Sequence, residues 1–159
     1  MLYNEEVVET VVNFLKIRKV PYVVLDPLIR SSSGYPLISD YGLESLINSL
    51  IPLSTFITPN LEEGRILTSL KDHQKIAYKL HTLGAKNVVI TGIGGRDDYF
   101  FDGNRGKVIK SKPFNFSFHG SGCFYSSFLL GRLLLGDTPL QACENTKKAI
   151  ERLARRSYL

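Results

Sequence analysis

Three short apolar runs, separated by stretches with helical periodicity, constrain the fold of this chain most strongly. The runs are Tyr22–Leu25, Thr55–Thr58 and Asn87–Thr91, and each is followed by proline or glycine. Short continuous apolar runs are typical of strands that are buried on both faces of a parallel sheet. Because helix-like stretches alternate with them, the sequence predicts an α/β fold with a mostly parallel sheet covered by helices.

Helix signals between the runs are local: capping residues, acidic first turns, and proline or glycine at the ends. They predict helices over about 4–15, 40–50, 61–67 and 72–83, with Pro52 ending the second of these. Residues 99–109 predict a hairpin, and residues 121–156 predict two helices separated by Gly136–Pro139. No internal repeat or long linker interrupts this pattern, so the sequence predicts one domain over residues 1–159.

Composition narrows the class of protein. Hydrophobic residues make up 43% and charged residues 22%, which is typical of a globular chain. No apolar run approaches the ~20 residues that a membrane helix needs, and the N-terminus lacks the pattern of a signal peptide. Cys123 and Cys143 are too few for a disulfide framework and lack zinc-ligand spacing to the histidines. We therefore expect a cytoplasmic protein without a membrane partner.

The net charge of +5 lies partly in the basic segment 147–156. Glu144 and Glu151 are interleaved with its lysines and arginines, so a solvated helix face is the simplest interpretation. A lysine of this segment that faces a phosphate is the alternative. A nucleic-acid-binding module ranks third, because the chain shows no aromatic stacking platform, and we expect no nucleic acid partner.

Polar or glycine-bearing residues follow the three predicted strands. Asp26-Pro27 follows the first, Thr58–Asn60 follows the second, and Thr91-Gly92 ends the third. Ligands of such sheets bind beyond the carboxyl ends of the strands. Strand ends also need turn residues for their own sake, so each pair taken alone fits either interpretation.

A glycine-rich turn precedes an apolar helix near residue 120. It consists of His119, Gly120, Ser121, Gly122 and Cys123. The glycines allow several backbone N–H groups to point at one spot, and the helix adds its positive end, which together suit a phosphate. A thiol at a helix N-terminus has a lowered pKa and can act as a base or nucleophile. The alternative for Cys123 is a buried structural cysteine.

Two predicted strand ends carry hard oxygen ligands. Asn60 and Glu63 lie on one helical turn after the second strand, and Asp26 follows the first. A carboxylate and an amide so placed can hold the water shell of Mg²⁺. Stabilisation of the helix dipole is the alternative, and it applies better to Glu62 than to Glu63.

Five blocks of the chain resemble the hydroxymethylpyrimidine and hydroxymethylpyrimidine phosphate kinases of thiamine biosynthesis, which belong to the ribokinase-like superfamily. The blocks are Val24–Pro27, Ser32–Leu37, Leu50–Leu53, Thr58–Glu63 and His119–Cys123. They occur in the family's order and at about its spacing, and they cover nearly the whole chain. The resemblance implies the C-terminal part of a three-layer α/β/α sheet.

The resemblance also implies ATP- and Mg²⁺-dependent phosphorylation of a small pyrimidine. In the family's pattern the backbone from Gly120 to Gly122 stabilises the transferring group, and Cys123 is the catalytic base. Glu63 matches the magnesium-organising motif, and Asp26 matches a residue near the phosphates. The implied cofactor-binding residues are Asn60, Thr91, Gly92, His119 and Lys147.

Thr91 departs from the family, which commonly has a phosphate-contacting lysine in a Lys-Gly-Gly-His block where this chain has Thr91–Gly94. A threonine there is typical of the related pyridoxal kinases, whereas Cys123 in place of aspartate opposes that assignment. A pyridoxal or pyridoxamine kinase therefore stays as an alternative.

The larger departure is that Met1-Leu2-Tyr3 aligns with the middle of full-length family members. The resemblance thus implies a C-terminal fragment, the second half of a split gene, or a gene whose predicted start is truncated. We expect an exposed sheet edge, poor stability or self-association, and weak nucleotide binding without turnover. A separate N-terminal half or a homo-oligomer is a candidate partner, and a non-catalytic nucleotide-binding or interaction domain is a further alternative.

Overall fold

The computed structural model describes residues 1–31, 33–112 and 120–156 of the chain. The helices are α1 (Glu5–Ile17), α2 (Asp40–Ser45), α3 (Leu61–Thr68), α4 (His73–Thr82), α5 (Ser121–Leu134) and α6 (Pro139–Arg156). The strands are β1 (Val24–Leu25), β2 (Phe56–Ile57), β3 (Asn87–Ile93), β4 (Asp97–Phe101) and β5 (Gly106–Ile109). Every helix and strand that the sequence predicts is present, with boundaries that differ by a few residues.

Side-chain caps fix the helix starts that the sequence predicts. The Asn4 side chain accepts a hydrogen bond from the N–H of the third helical residue of α1, and the Asp72 side chain accepts two at the start of α4. The end of the second helix differs from the prediction. After α2 the chain continues as a π-helical turn, Leu46–Leu50, and a 3₁₀ turn, Ile51–Leu53. Pro52 lies within that last turn, where its missing N–H costs no helical hydrogen bond.

The sheet is mixed, with strand order β1-β2-β3-β4-β5. β1, β2 and β3 are parallel to one another, and β4 and β5 extend the sheet as the predicted antiparallel hairpin. β1 is shorter than its apolar run because the Val23 carbonyl accepts hydrogen bonds from both Thr55 and Phe56, which interrupts the regular ladder.

Successive side chains of the central strand face opposite layers of helices. Val88 and Ile90 pack into a core formed with α1 to α4, whereas Val89 packs into a second core formed with α5 and α6. This alternation follows from the two-residue period of a strand. Helices cover both faces of the sheet, so the predicted three-layer α/β/α architecture is confirmed.

β1 forms one edge of the sheet. Within residues 1–31, 33–112 and 120–156, no strand pairs with its outer side. Phe14 and Ile17 of α1 are 55% and 78% exposed. An unpaired edge and exposed apolar side chains both favour association. No helix in the part of the chain that the structure describes has the length and apolar character needed to cross a membrane.

Candidate functional site

A cleft of about 1050 Å³ opens at the carboxyl ends of the three parallel strands. Asp26, which follows β1, Asn60, which follows β2, and Thr91 of β3 all line it. The pairing of β2 and β3 continues into its wall, because the Thr91 N–H donates a hydrogen bond to the carbonyl of Pro59 at 2.9 Å. The residues predicted at the strand ends are therefore brought together in one cavity.

The glycine-rich turn forms another part of the wall, next to Asp26. Gly120, Ser121, Gly122 and Cys123 all line the cleft, and α5 begins at Ser121. Gly120 has φ of 85°, a left-handed conformation that favours glycine at this cap. Since Gly120 carries no side chain that could cap the helix, the first N–H groups of α5 stay available to a ligand in the cleft.

Cys123 and Asp26 meet across the cleft. The Cys123 thiol lies close enough to interact with the Asp26 carboxylate, and Ser126 Oγ lies 3.5 Å from Asp26 Oδ2. Burial raises the pKa of Asp26, and the contacts with Ser126 and Cys123 oppose that rise.

The expectation of a lowered thiol pKa at this helix start is wrong. Partial desolvation, followed by the charge of Asp26, raises the pKa of Cys123 above its usual value. Desolvation of the thiol, together with the nearby carboxylates, thus outweighs the positive end of α5. Cys123 is exposed, which excludes the buried structural role, whereas Cys143 is fully buried, as a packing residue should be.

Asn60 and Glu63 form a capping box at the start of α3. The Asn60 N–H donates to Glu63 Oε2 at 2.9 Å, and the Glu63 N–H donates to Asn60 Oδ1 at 2.9 Å. Glu63 is only 7% exposed. Burial raises the pKa of Glu63 to about 7; the Asn60 N–H opposes this rise, and the charge of Asp26 adds to it.

The donor set of the cleft fits a magnesium ion. Asp26 and Glu63 are two carboxylates that repel each other, and both have raised pKa values. Among the described residues, no group of three or more His, Cys, Asp or Glu side chains gathers as a metal site. Mg²⁺ suits this sparse set, because it keeps several waters and uses one or two carboxylates. The Asn60 oxygen is engaged in the cap, so the carboxylates are the better ligands.

Lys147, one of the predicted cofactor-binding residues, is not among the described residues that line the cleft. His119 lies outside the described residues. Lys147 is 6% exposed; its ammonium donates hydrogen bonds to the carbonyl of Arg96 and, at 2.9 Å, to Asp98 Oδ1. The Gly92 N–H donates to the same Asp98 oxygen at 3.1 Å. Lys147 thus supports the cleft wall at Gly92 indirectly, through Asp98.

Sequence reasoning missed Asp98 and Arg30. Asp98 is fully buried, and burial raises its pKa even though the charge of Lys147 lowers it. The available signal for Asp98 was an aspartate directly before the aromatic run Tyr99–Phe101, in a strand that begins Asp97-Asp98. Arg30 lines the cleft from the loop after β1, where a cation beside a strand end was the signal.

The match of the chain to known proteins agrees with this geometry. The model of the family described as phosphomethylpyrimidine kinase matches residues 1–158. The hydroxymethylpyrimidine/phosphomethylpyrimidine kinase of Aquifex aeolicus is 35% identical over an alignment that covers 94% of this chain and 63% of that protein.

Solved structures give the same result. The crystal structure of phosphomethylpyrimidine kinase from Clostridium difficile superposes with a TM-score of 0.83 at 32% identity, covering 96% of this chain and 66% of that one. An ADP complex of Bacillus subtilis pyridoxal kinase superposes with a TM-score of 0.82 at 29% identity, covering 93% and 60%. The chain thus spans about two thirds or less of the length of these relatives.

Proposed function

The chain belongs to the phosphomethylpyrimidine kinase family, and from this premise we propose that its cleft supports ATP-dependent phosphorylation of hydroxymethylpyrimidine or its monophosphate. The observation that carries the proposal is the placement of the Gly120–Cys123 turn and the Asp26 and Glu63 carboxylates in one cleft. An anion site next to a cation site is what a metal-bound nucleotide phosphate requires. The chain spans 63% of the length of its Aquifex relative.

The glycine turn would bind the phosphoryl group that is transferred. Its backbone N–H groups at the start of α5 lie at fixed positions, so they stabilise developing negative charge without reorganising. Glu63 would hold Mg²⁺ and Asp26 would contact the water shell of the ion, which neutralises phosphate charge when bound. The nucleotide complex of the Bacillus pyridoxal kinase supports ATP as the phosphoryl donor.

Cys123 would take the proton from the substrate hydroxyl. Its raised pKa keeps the thiol protonated at neutral pH, so Cys123 needs a neighbour that accepts its own proton. Asp26 interacts with the thiol and has a raised pKa, which suits a carboxylate to this role. The hydroxyl proton would pass to Sγ as the thiol proton passes to Asp26.

A pyridoxal-type vitamer is the second candidate substrate. Thr91, typical of pyridoxal kinases at this position, lines the cleft, and the Bacillus pyridoxal kinase has a similar fold. A non-catalytic nucleotide-binding role is the third candidate, and it predicts binding without turnover.

One experiment separates these candidates. The 159-residue chain is titrated with ATP and Mg²⁺ by calorimetry, and release of ADP is followed with hydroxymethylpyrimidine, its monophosphate or pyridoxal. Binding with turnover supports a kinase, and the substrate preference selects the first or second candidate. Binding without turnover supports the third candidate and agrees with the expectation from sequence. Absence of both binding and turnover contradicts the proposal.

Two cysteine variants test the proposed base. Cys123→Ala should leave nucleotide binding intact and abolish any turnover, because it removes only the thiol in the cleft. Cys143→Ala is the matched control, since it removes a thiol that is buried between α6 and the sheet. Unchanged turnover in Cys123→Ala would exclude Cys123 as the base.

Location and assembly stay predictions. Both cysteines are free, which supports a reducing, cytoplasmic compartment. The unpaired outer side of β1 and the exposed apolar side chains of α1 support a homo-oligomer or a separate partner chain, and size-exclusion chromatography distinguishes a monomer from an oligomer.

A further inference from the structure

Without a bound cation, the charged side chains of the cleft are mostly of the same sign as a phosphate ligand. Three carboxylates line the cleft, those of Asp26, Glu62 and Glu63. Arg30 is the one cationic side chain among the described residues that line the same cavity. A phosphoryl group entering this cleft therefore meets a net negative wall, and Arg30 is the positive side chain there that can offset it.

Arg30 has a fixed backbone and a free side chain. Its neighbour Ile29 accepts a hydrogen bond from the Leu37 N–H at 2.8 Å, and Arg30 itself forms an antiparallel bridge with Pro36. The Ile29 N–H also interacts with the Glu63 carboxylate. The side chain of Arg30 is exposed, and no ion pair with another described residue holds it.

The cation expected from sequence at the nucleotide is already engaged. Lys147 is buried against Asp98, with 8% of its side chain exposed. Thr91 supplies no charge at the position where the family's lysine was expected. Among the described residues that line the cleft, Arg30 is thus the one cationic side chain left for direct contact with a phosphate, beside the backbone N–H groups of the glycine turn.

We propose that Arg30 is the phosphate-binding side chain of this cleft and recognises the phosphoryl group of a nucleotide or of a phosphorylated pyrimidine substrate. The inference rests on the proposed function, since it assigns a ligand contact within the same site. The planar guanidinium donates paired hydrogen bonds that match two phosphate oxygens, which a lysine ammonium does not reproduce.

Three variants of the full chain test this assignment. Arg30→Gln removes the charge, Arg30→Lys keeps the charge without the paired donors, and Lys86→Gln is the matched control. Lys86 is exposed and immediately precedes β3, so it lies at the end of the sheet opposite the cleft. Each variant is titrated with ADP and Mg²⁺, with inorganic pyrophosphate, and with hydroxymethylpyrimidine monophosphate. Adenosine and unphosphorylated hydroxymethylpyrimidine are the control ligands, because they carry no phosphate.

Arg30→Gln should weaken binding of phosphate-bearing ligands about tenfold or more, in line with a charged hydrogen bond. Arg30→Lys should fall between wild type and Arg30→Gln, and Lys86→Gln should match wild type. The phosphate-free ligands should bind equally to all four proteins. A loss confined to ADP and pyrophosphate assigns Arg30 to the nucleotide, and a loss confined to the pyrimidine monophosphate assigns it to the substrate.

Two further outcomes separate this inference from the proposed function. If wild type and Arg30→Gln bind ADP, pyrophosphate and hydroxymethylpyrimidine monophosphate equally tightly, the role of Arg30 is overturned and the proposed function stands. Wild type that binds pyrophosphate through Arg30 but neither ADP nor the pyrimidines supports Arg30 and contradicts the proposed function. If wild type binds none of the phosphate-bearing ligands, both the role of Arg30 and the proposed function are overturned.

Discussion

Replacing Glu63 with glutamine tests whether burial raises the pKa of the carboxyl at this position of the cleft. The Glu63 carboxyl is 7% exposed, and burial raises its pKa from 4.5 to about 7. Between these two values the folded protein binds more protons than the unfolded chain does. The stability of the wild type should therefore fall as pH rises from about 4.5 to about 7.

The size of this loss of stability follows from the same two pKa values. A rise from 4.5 to about 7 corresponds to at most about 3 kcal/mol of destabilisation once the carboxyl is ionised. Glutamine has no charge to bury, and its carbonyl oxygen can still accept the Asn60 N–H. Glu63→Gln should be as stable as wild type near pH 4, below both pKa values, and more stable by up to about 3 kcal/mol near pH 8.5.

Urea denaturation followed by circular dichroism measures this difference at both pH values. Glu62→Gln is the matched control, because Glu62 lies on the same helical turn but its side chain is 74% exposed. The control should change stability by less than about 1 kcal/mol at either pH. Mg²⁺ should stabilise wild type near neutral pH and have little effect on Glu63→Gln. If Glu63→Gln gains no stability over wild type at high pH, burial is not the cause of the raised pKa.

The remaining predictions concern the glycine turn, the buried ion pair and the thiol. Gly120→Ala should destabilise the fold by about 1 kcal/mol or more, because φ is 85° there, whereas Gly131→Ala in the middle of α5 should be neutral or stabilising. Lys147→Met should cost about 3–5 kcal/mol in urea denaturation, because it leaves Asp98 buried and unpaired. Cys123 should react with iodoacetamide more slowly in the native protein than in urea at neutral pH, as mass spectrometry measures.

Each of these has a contrary outcome. Equal stability of the two alanine variants would show that the left-handed turn is not strained by a side chain. A mild effect of Lys147→Met would mean that water or another group reaches the Asp98 carboxylate. A native thiol that reacts faster than the denatured one would show that the helix N-terminus, rather than desolvation and the charge of Asp26, controls the pKa of Cys123.

The features that depend on local sequence, such as helix caps and strand ends, could be predicted well from the sequence. Asn4 and Asp72 were identified as helix caps because a cap depends on residues within one turn of itself. Asp26, Asn60 and Thr91 were expected near one another because the carboxyl ends of parallel strands share an edge.

Contacts between distant segments were the part that sequence could not supply. Lys147 and Asp98 are 49 residues apart, and their pairing depends on how α6 packs on β4. The pKa of Cys123 was expected to fall because the helix start was considered without Asp26 on the facing strand end. The role of His119 stays a prediction, since it lies outside the described residues.

The capping box gives the Glu63 carboxylate two tasks, because one of its oxygens fixes the start of α3 while the side chain lines the cleft. A cation that binds there holds the carboxyl in its ionised form, which is the stronger acceptor for the Asn60 N–H. Exchange of that single amide hydrogen with deuterated solvent should therefore slow when the cleft is filled. The exchange rate of the Asn60 amide hydrogen, measured by nuclear magnetic resonance, should therefore report whether the cleft is occupied. This measurement does not depend on turnover of a substrate.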